Sequence, residues 1–142
     1  MSHELNHIII HSKNRRETAA FLTEIMGIET PPLDWGRFTQ VGTSNGVGID
    51  FADDFVPADE INLSHIAFLV TDDEFDAILK RITARSLPYF ADPGFGVPNE
   101  INHDYDGRGL YLRDPGGTVA IEFITTPYGE TFSVRPTQPQ VS

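Results

Sequence analysis

The sequence predicts an α+β fold built from two copies of a βαβββ unit. Each copy begins with a short apolar run that contains a histidine, "ELNHIII" with His7 and "NLSHIAF" with His65. Each copy ends with a strand that carries an acid. The closing strands "VGIDF" and "VAIEF" align position by position, so that Asp50 falls on Glu122. This repetition of strand, helix and strands indicates an internal duplication.

The first copy contains the pattern of a strand, a helix and a hairpin. Residues 5–11 form an isoleucine-rich strand, and residues 14–26 place apolar side chains at helical spacing before Gly27, where a helix would end. Two consecutive prolines then indicate a loop. "RFTQVGTS" and "GVGIDFAD" predict two strands joined at an Asn-Gly pair, because Asn-Gly is a strong hairpin signal.

The second copy repeats this order from residue 63. "LSHIAFLV" predicts its first strand, and Thr71 and Glu74 form a capping box at the start of a helix. The apolar face of that helix is marked by residues at helical spacing, namely Phe75, Ile78, Leu79 and Ile82. "LPYFAD" and "GLYLRD" predict the next strands, and "DPGG" turns the chain into the closing strand "TVAIEFIT". The surplus length of this copy fits in the loop of residues 93–108.

The length of the chain predicts a single domain. Its 142 residues suffice for a core, and we assign them to one domain, residues 1–142, with modules at about 4–55 and 62–128. Residues 129–142 have little apolar periodicity and predict a mobile tail or an arm that lies on a partner subunit.

Composition limits the partners and the location of the protein. No apolar run approaches the ~18 residues that cross a bilayer, and the chain does not begin with an export signal, so we expect a cytoplasmic protein with no membrane partner. The lack of cysteine removes disulfides and thiolate ligands, and fits a cytoplasm. Ten Lys and Arg against 21 Asp and Glu give a net charge of −11, which argues against nucleic acid as a partner.

The two acids share their strand face with small residues. Side chains alternate across a strand, so Asp50 lies on the face of Gly48, and Glu122 on the face of Ala120. The opposite face of each strand carries valine, isoleucine and phenylalanine, the bulky set that a helix would cover. We therefore expect core on the helix side and a cavity on the acid side.

Convergence of the two histidines and two acids would bring imidazole and carboxylate ligands to one point. Divalent metals bind such a set: His7, His65 and Glu122 with open positions suit Fe(II), and with Asp50 they also accept Mn, Ni, Co or Zn. The alternative for a single histidine is a packed, hydrogen-bonded side chain. The pairing of each histidine with an acid favours metal binding. Asp50 has a side chain one methylene shorter than that of Glu122, and three ligands would complete a site without it.

These features resemble the vicinal oxygen chelate superfamily, which includes glyoxalase I, extradiol dioxygenases, fosfomycin-resistance transferases and bleomycin-resistance proteins. The resemblance covers residues 4–128 and is carried by the paired units, the two histidines and "GRGLYLRDPGGTVAIEF". It implies a curved mixed sheet around a central cavity. It also implies that His7, His65 and Glu122 occupy metal positions and that Asp50 matches the additional acid of glyoxalase I.

The turn before Glu122 is one residue longer than the family pattern. Either the Gly116-Gly117 turn absorbs the extra residue, or Glu122 points to the wrong face of its strand. The sequence leaves both alternatives open.

The resemblance implies an enzyme that chelates a small oxygenated substrate on its metal, either a glyoxalase-like lyase or isomerase, or a dioxygenase. Glu122 or Asp50 is then the candidate general base. In the loop "NEINHDYDGRG", His103 could shuttle a proton and Arg108 could hold a substrate carboxylate. Asn102 and Tyr105 are further substrate-binding candidates, Trp35, Phe38 and Tyr111 could wall the pocket, and a solvated surface loop is the alternative for the loop residues.

A metal-free protein of the bleomycin-resistance type is the competing function. Such proteins are acidic dimers that sequester a cationic drug, and a charge of −11 would suit that cargo. The resemblance further implies a homodimer whose sites each draw His7 and Asp50 from one subunit and His65 and Glu122 from the other.

Overall fold

A computed structural model describes residues 2–128, and the predicted tail of residues 129–142 lies outside the described residues. The chain divides into two compact units. Among the described residues, one unit holds residues 2–64 together with Asp114–Val119, and the other holds His65–Arg113 and residues 120–128. None of the helices within residues 2–128 has the length and apolar character that crossing a membrane requires.

The first unit contains a four-stranded sheet. Its strands are β1 (His7–His11), β2 (Leu33–Trp35), β3 (Phe38–Gly42) and β4 (Gly48–Ala52), in the spatial order β1-β4-β3-β2. Strands β1 and β4 run parallel, and the other neighbours are antiparallel. The helix α1 (Arg15–Met26) follows β1, as the apolar spacing predicts.

Local capping fixes both ends of α1. The side chain of Asn14 accepts the backbone N–H of Glu17 at 3.0 Å, and this satisfies one free donor of the first turn. Gly27 ends the helix with a φ of +70°, a conformation that glycine adopts without the steric penalty of a Cβ. Ile49 and Phe51, on the face of β4 opposite Asp50, are at most 1% exposed, so this face belongs to the core, as predicted.

The second sheet has three strands in the order β5-β7-β6, namely β5 (Ser64–Leu69), β6 (Gly109–Arg113) and β7 (Val119–Ile124). The helix α2 (Asp72–Ala84) follows β5. Thr71 caps its start, since its hydroxyl accepts the backbone N–H of Glu74 at 3.1 Å. The carboxylate of Glu74 accepts that hydroxyl at 3.2 Å, so the second bond of the predicted capping box goes to the side chain and not to the backbone of Thr71. The side chains of Phe75, Ile78 and Ile82 on α2 are buried, also as predicted.

The segment "LPYFAD" does not form the predicted strand. Only Phe90 pairs with β6, through two backbone hydrogen bonds of 2.8 Å with Tyr111. Pro88 has no N–H to donate, and Ser86 has a φ of +53°, so the chain cannot extend the ladder from this side. Conversely, the sequence pattern does not predict β2, because the two prolines before it indicate a loop.

Asp114 fixes the turn between β6 and β7. Its Oδ1 accepts the backbone N–H groups of Thr118 and Val119, both at 3.0 Å, and its Oδ2 accepts the hydroxyl of Thr18 at 2.7 Å. Gly117 has a φ of +77° and donates its N–H to the carbonyl of Asp114 at 2.9 Å. The turn therefore has a defined hydrogen-bonded conformation that determines where β7 begins.

Candidate functional site

His65 and Glu122 lie together on one face of the second sheet. The Nε2 atom of His65 is 2.8 Å from Oε1 of Glu122. The imidazole is 47% exposed, whereas the glutamate side chain is 3% exposed. On the other face of the sheet, the rings of Phe68 and Phe123 stack at 5.7 Å. Glu122 thus points away from the apolar face, and the Gly116-Gly117 turn absorbs the extra residue of the sequence.

Two tyrosines complete the surroundings of Glu122. The hydroxyl of Tyr128 donates a short hydrogen bond to Oε2 of Glu122. Tyr111, directly opposite Glu122 in β6, hydrogen-bonds to Tyr128 and to Glu122, and its ring lies 5.9 Å from the imidazole of His65. Burial raises the pKa of both phenols, and the hydrogen bond to Glu122 raises the pKa of Tyr128 further. Both tyrosines are therefore neutral hydrogen-bonding groups at physiological pH.

His7 and Asp50 share one face of the first sheet. The parallel register places His7 beside Gly48 and Asp50 beside Ile9, so the imidazole and the acid are offset by two residues along the strands. Asp50 is 1% exposed, and its Oδ1 accepts a hydrogen bond from Gln40 at 2.7 Å. His7 is exposed, and its Nδ1 lies 2.8 Å from the side-chain oxygen of the preceding asparagine.

Gly48 leaves the space through which Gln40 reaches Asp50. A Cβ at Gly48 would lie 2.8 Å from Nε2 of Gln40 and 3.4 Å from Cβ of His7. The small residue that the sequence pattern places beside the first acid is therefore required by the hydrogen bond that holds this acid.

The acid face of the first sheet also exposes apolar side chains. Leu33, Trp35 and Ile9 are 61%, 49% and 48% exposed. The ring of Phe38 lies 5.1 Å from that of Trp35 and stacks at 5.5 Å on Phe55. The strand register puts Leu33, Trp35 and Phe38 on the face of Asp50. An apolar patch beside polar site residues is a surface suited to a ligand or a partner.

Arg108 and Asn102 are held by their own unit. Arg108 pairs with Asp76 at 2.7 Å and with Asp72 at 3.0 Å, both on α2, and these hydrogen bonds raise its pKa. The amide of Asn102 donates to a backbone carbonyl at 2.8 Å. Both side chains thus have structural partners, and their contact with a substrate stays a prediction.

His103 and Tyr105 lie in the exposed part of the same loop, beside and within the short 3-10 turn Asp104–Asp106. Tyr105 is 61% exposed, and its ring is 4.7 Å from that of Tyr128. It therefore touches the side chain that holds Glu122. Within residues 2–128, no hydrogen bond joins His103 to Glu122, and its catalytic role also stays a prediction.

The four candidate metal ligands are divided between the units, with one histidine and one acid in each. Among the described residues, no three His, Asp or Glu side chains gather in an arrangement that could hold a metal ion. The pair in the second unit nevertheless has a suitable spacing. The His65 and Glu122 atoms are 2.8 Å apart, a hydrogen-bond distance, and two ligand atoms at right angles in an octahedral site, each about 2.1 Å from the cation, are about 3.0 Å apart.

Burial of the two acids also fits a cation. Asp50 and Glu122 are 1% and 2% exposed. The arginine ion pairs in the described part of the chain use other, more exposed acids, namely Asp34, Asp54, Asp72 and Asp76. Gln40 and Tyr128, which donate to these two acids, are uncharged. A buried carboxylate is stabilised further by an opposite charge, so the donor set is compatible with a bound divalent metal.

Comparison with known proteins gives close matches among solved structures, although no family model matches the sequence. The chain is 43% identical to a protein named oxidase ChaP-H1, over 91% of this chain and 100% of that one, with a TM-score of 0.82. Oxidase ChaP-H2 is 42% identical over 91% and 98% of the two chains, with a TM-score of 0.81. A glyoxalase/dioxygenase from Nostoc punctiforme is 19% identical over 87% and 91%, with a TM-score of 0.62.

Proposed function

Because this chain belongs to the vicinal oxygen chelate superfamily, we propose that it is a metal-dependent oxidase acting on a small oxygenated substrate. The superfamily and the α+β fold expected from the sequence are confirmed by the comparisons. The pair of His65 and Glu122, 2.8 Å apart on the face away from the apolar side chains, is the observation that carries the proposal. The two relatives named as oxidases support the oxidative reaction.

In this proposal His7, His65 and Glu122 hold a divalent metal chosen from Fe, Mn, Ni, Co and Zn. When bound, such a cation would hold neighbouring substrate oxygens and stabilise the negative charge that develops on them. Asp50 lies beside it, as a further ligand or as the base that accepts the substrate proton. The exposed apolar side chains around Trp35 bind the apolar part of the substrate.

The proposed active form is a homodimer. His7 and Asp50 of one subunit meet His65 and Glu122 of its partner, so that each site receives both pairs. Two observations support this arrangement. Each compact unit carries one histidine and one acid on a common strand face, and no third His, Asp or Glu side chain of residues 2–128 completes either pair.

Metal analysis tests the proposal directly. Protein purified without chelator should contain a bound divalent metal, and His65→Ala and Glu122→Gln should lose it. His3→Ala is the matched control, because His3 is exposed and belongs to neither pair. A protein that cannot be loaded with any of these metals, but binds a large cationic ligand, would establish the sequestering function instead.

Oxygen uptake tests the reaction class. The metal-loaded protein should consume dioxygen with a substrate that carries two neighbouring oxygens, and the His65→Ala protein should not. Isomerisation of a hemithioacetal without oxygen uptake would assign the protein to the glyoxalase branch of the superfamily.

A mixed dimer tests whether the sites are shared between subunits. Co-expression of His7→Ala and His65→Ala subunits with different tags allows the heterodimer to be isolated. If each site takes one histidine from each subunit, the heterodimer has one intact site and should hold about half the wild-type metal. A heterodimer as depleted as the two parent variants would show that each subunit builds its own site.

A further inference from the structure

Glu122 is a buried carboxylate whose two oxygens have different partners. Oε1 lies 2.8 Å from Nε2 of His65, and Oε2 accepts the hydroxyl hydrogen bond of Tyr128. The side chain is 3% exposed, so water has little access to either oxygen. His65 and Tyr128, together with the neighbouring hydroxyl of Tyr111, therefore set the orientation of the carboxylate.

Metal binding would change which of these partners can donate a hydrogen bond to Glu122. An imidazole nitrogen that ligates a metal offers a lone pair and carries no proton, so Nε2 of His65 could no longer donate to Oε1. The phenol of Tyr128 carries its proton at neutral pH and can still donate to Oε2. Tyr128 would then be the donor that continues to orient Glu122.

We propose that Tyr128 is a positioning residue that holds Oε2 of Glu122 away from the metal, so that Glu122 ligates through Oε1 alone. This inference rests on the proposed metal site. It gives a defined role to a side chain that the sequence pattern does not single out, since Tyr128 lies beyond the end of β7.

Neighbouring side chains hold Tyr128 in place. Tyr111, the residue opposite Glu122 in β6, forms a hydrogen bond with Tyr128. The ring of Tyr105 packs against the ring of Tyr128, with 4.7 Å between the ring centroids. A donor fixed by a hydrogen bond and a ring contact can orient a metal ligand more strictly than a flexible donor. Loss of such an outer partner commonly weakens metal binding or activity by about 10- to 100-fold.

The variant Tyr128→Phe removes the hydroxyl and keeps the ring. Its dissociation constants for Co(II) and Zn(II) should be about 10- to 100-fold higher than those of the wild type. The absorption spectrum of bound Co(II) should also change, because Oε2 becomes free to approach the metal. Tyr89→Phe is the matched control, since Tyr89 lies elsewhere in the unit, and it should change neither affinity nor spectrum.

Two further measurements separate positioning from general stability. Tyr111→Phe, which removes the interactions of Tyr111 with Tyr128 and Glu122 but leaves the Tyr128 donor, should weaken metal binding by less than Tyr128→Phe does. Thermal melting of the metal-free proteins should show that Tyr128→Phe remains folded at the titration temperature. A structural role alone would lower the melting temperature without changing the Co(II) spectrum of the folded protein, and that result would overturn the inference.

The proposed function and this inference fail in different ways. If the wild type binds Co(II) and Zn(II) and Tyr128→Phe binds them equally well with the same spectrum, only the role of Tyr128 is overturned. If the wild type binds neither metal, the metal site itself is overturned, and the role of Tyr128 with it.

Discussion

Replacing Asp114 by alanine should destabilise the protein by about 3 to 5 kcal/mol. The carboxylate is 3% exposed and accepts two backbone N–H groups, from Thr118 and Val119, and the hydroxyl of Thr18. Alanine leaves these buried donors without an acceptor, at about 1–3 kcal/mol for each unsatisfied group. The lower part of the summed range, about 3 to 5 kcal/mol, is appropriate, because neighbouring losses are not additive and the hydroxyl can rotate to another acceptor.

Urea unfolding followed by circular dichroism measures this loss. At about 3 °C per kcal/mol for a chain of this size, the melting temperature should also fall by about 10 to 15 °C. Asp114→Asn is the matched control, since its amide oxygen can still accept both backbone N–H groups, and it should lose less than half as much. If both variants unfold within about 0.5 kcal/mol of the wild type, the hydrogen bonds of Asp114 do not stabilise the turn.

Two other substitutions have outcomes set by the structure. Gly48→Ala places a Cβ 2.8 Å from Nε2 of Gln40, so the hydrogen bond from Gln40 to Asp50 should be displaced. The free energy of unfolding measured in urea should fall by about 1 kcal/mol, and a rise would contradict this contact. The backbone N–H groups of Val97 and Gly96 lower the pKa of Asp92. Asp92 therefore stabilises the fold above about pH 4 and loses this effect as the pH falls, so the difference in urea midpoint between wild type and Asp92→Asn should shrink from pH 7 to pH 3.

The elements that the sequence predicts well are those whose signals are local. Asn14 and Gly27 bound the first helix, Thr71 caps the start of the second, and alternation in the closing strands separates the acid face from the core face. Each signal acts within a few residues, and no distant contact is needed to make it effective.

The features that the sequence does not predict depend on distant contacts. "LPYFAD" has the composition of a strand, but its backbone near Pro88 cannot continue the ladder, and only Phe90 pairs with β6. Arg108 directly precedes β6, the strand that pairs with the strand of Glu122. Its guanidinium nevertheless forms ion pairs with two aspartates of α2, more than 30 positions earlier in the chain. Tyr128 reaches Glu122 from beyond the end of a strand, where no periodicity constrains its direction.

The two copies have kept their strand register but not the partners of their acids. The residue opposite Asp50 is Gln40, and the residue opposite Glu122 is Tyr111. In the first copy the opposite residue donates to the acid, whereas in the second the acid accepts from Tyr128, and the hydroxyl of Tyr111 interacts with both Tyr128 and Glu122. The second acid also has an imidazole within 2.8 Å, whereas the first is offset by two residues from its histidine. In the proposed metal site a ligand acts together with a neighbouring ligand, so this difference supports Glu122 as the ligand and Asp50 as the proton acceptor of that proposal.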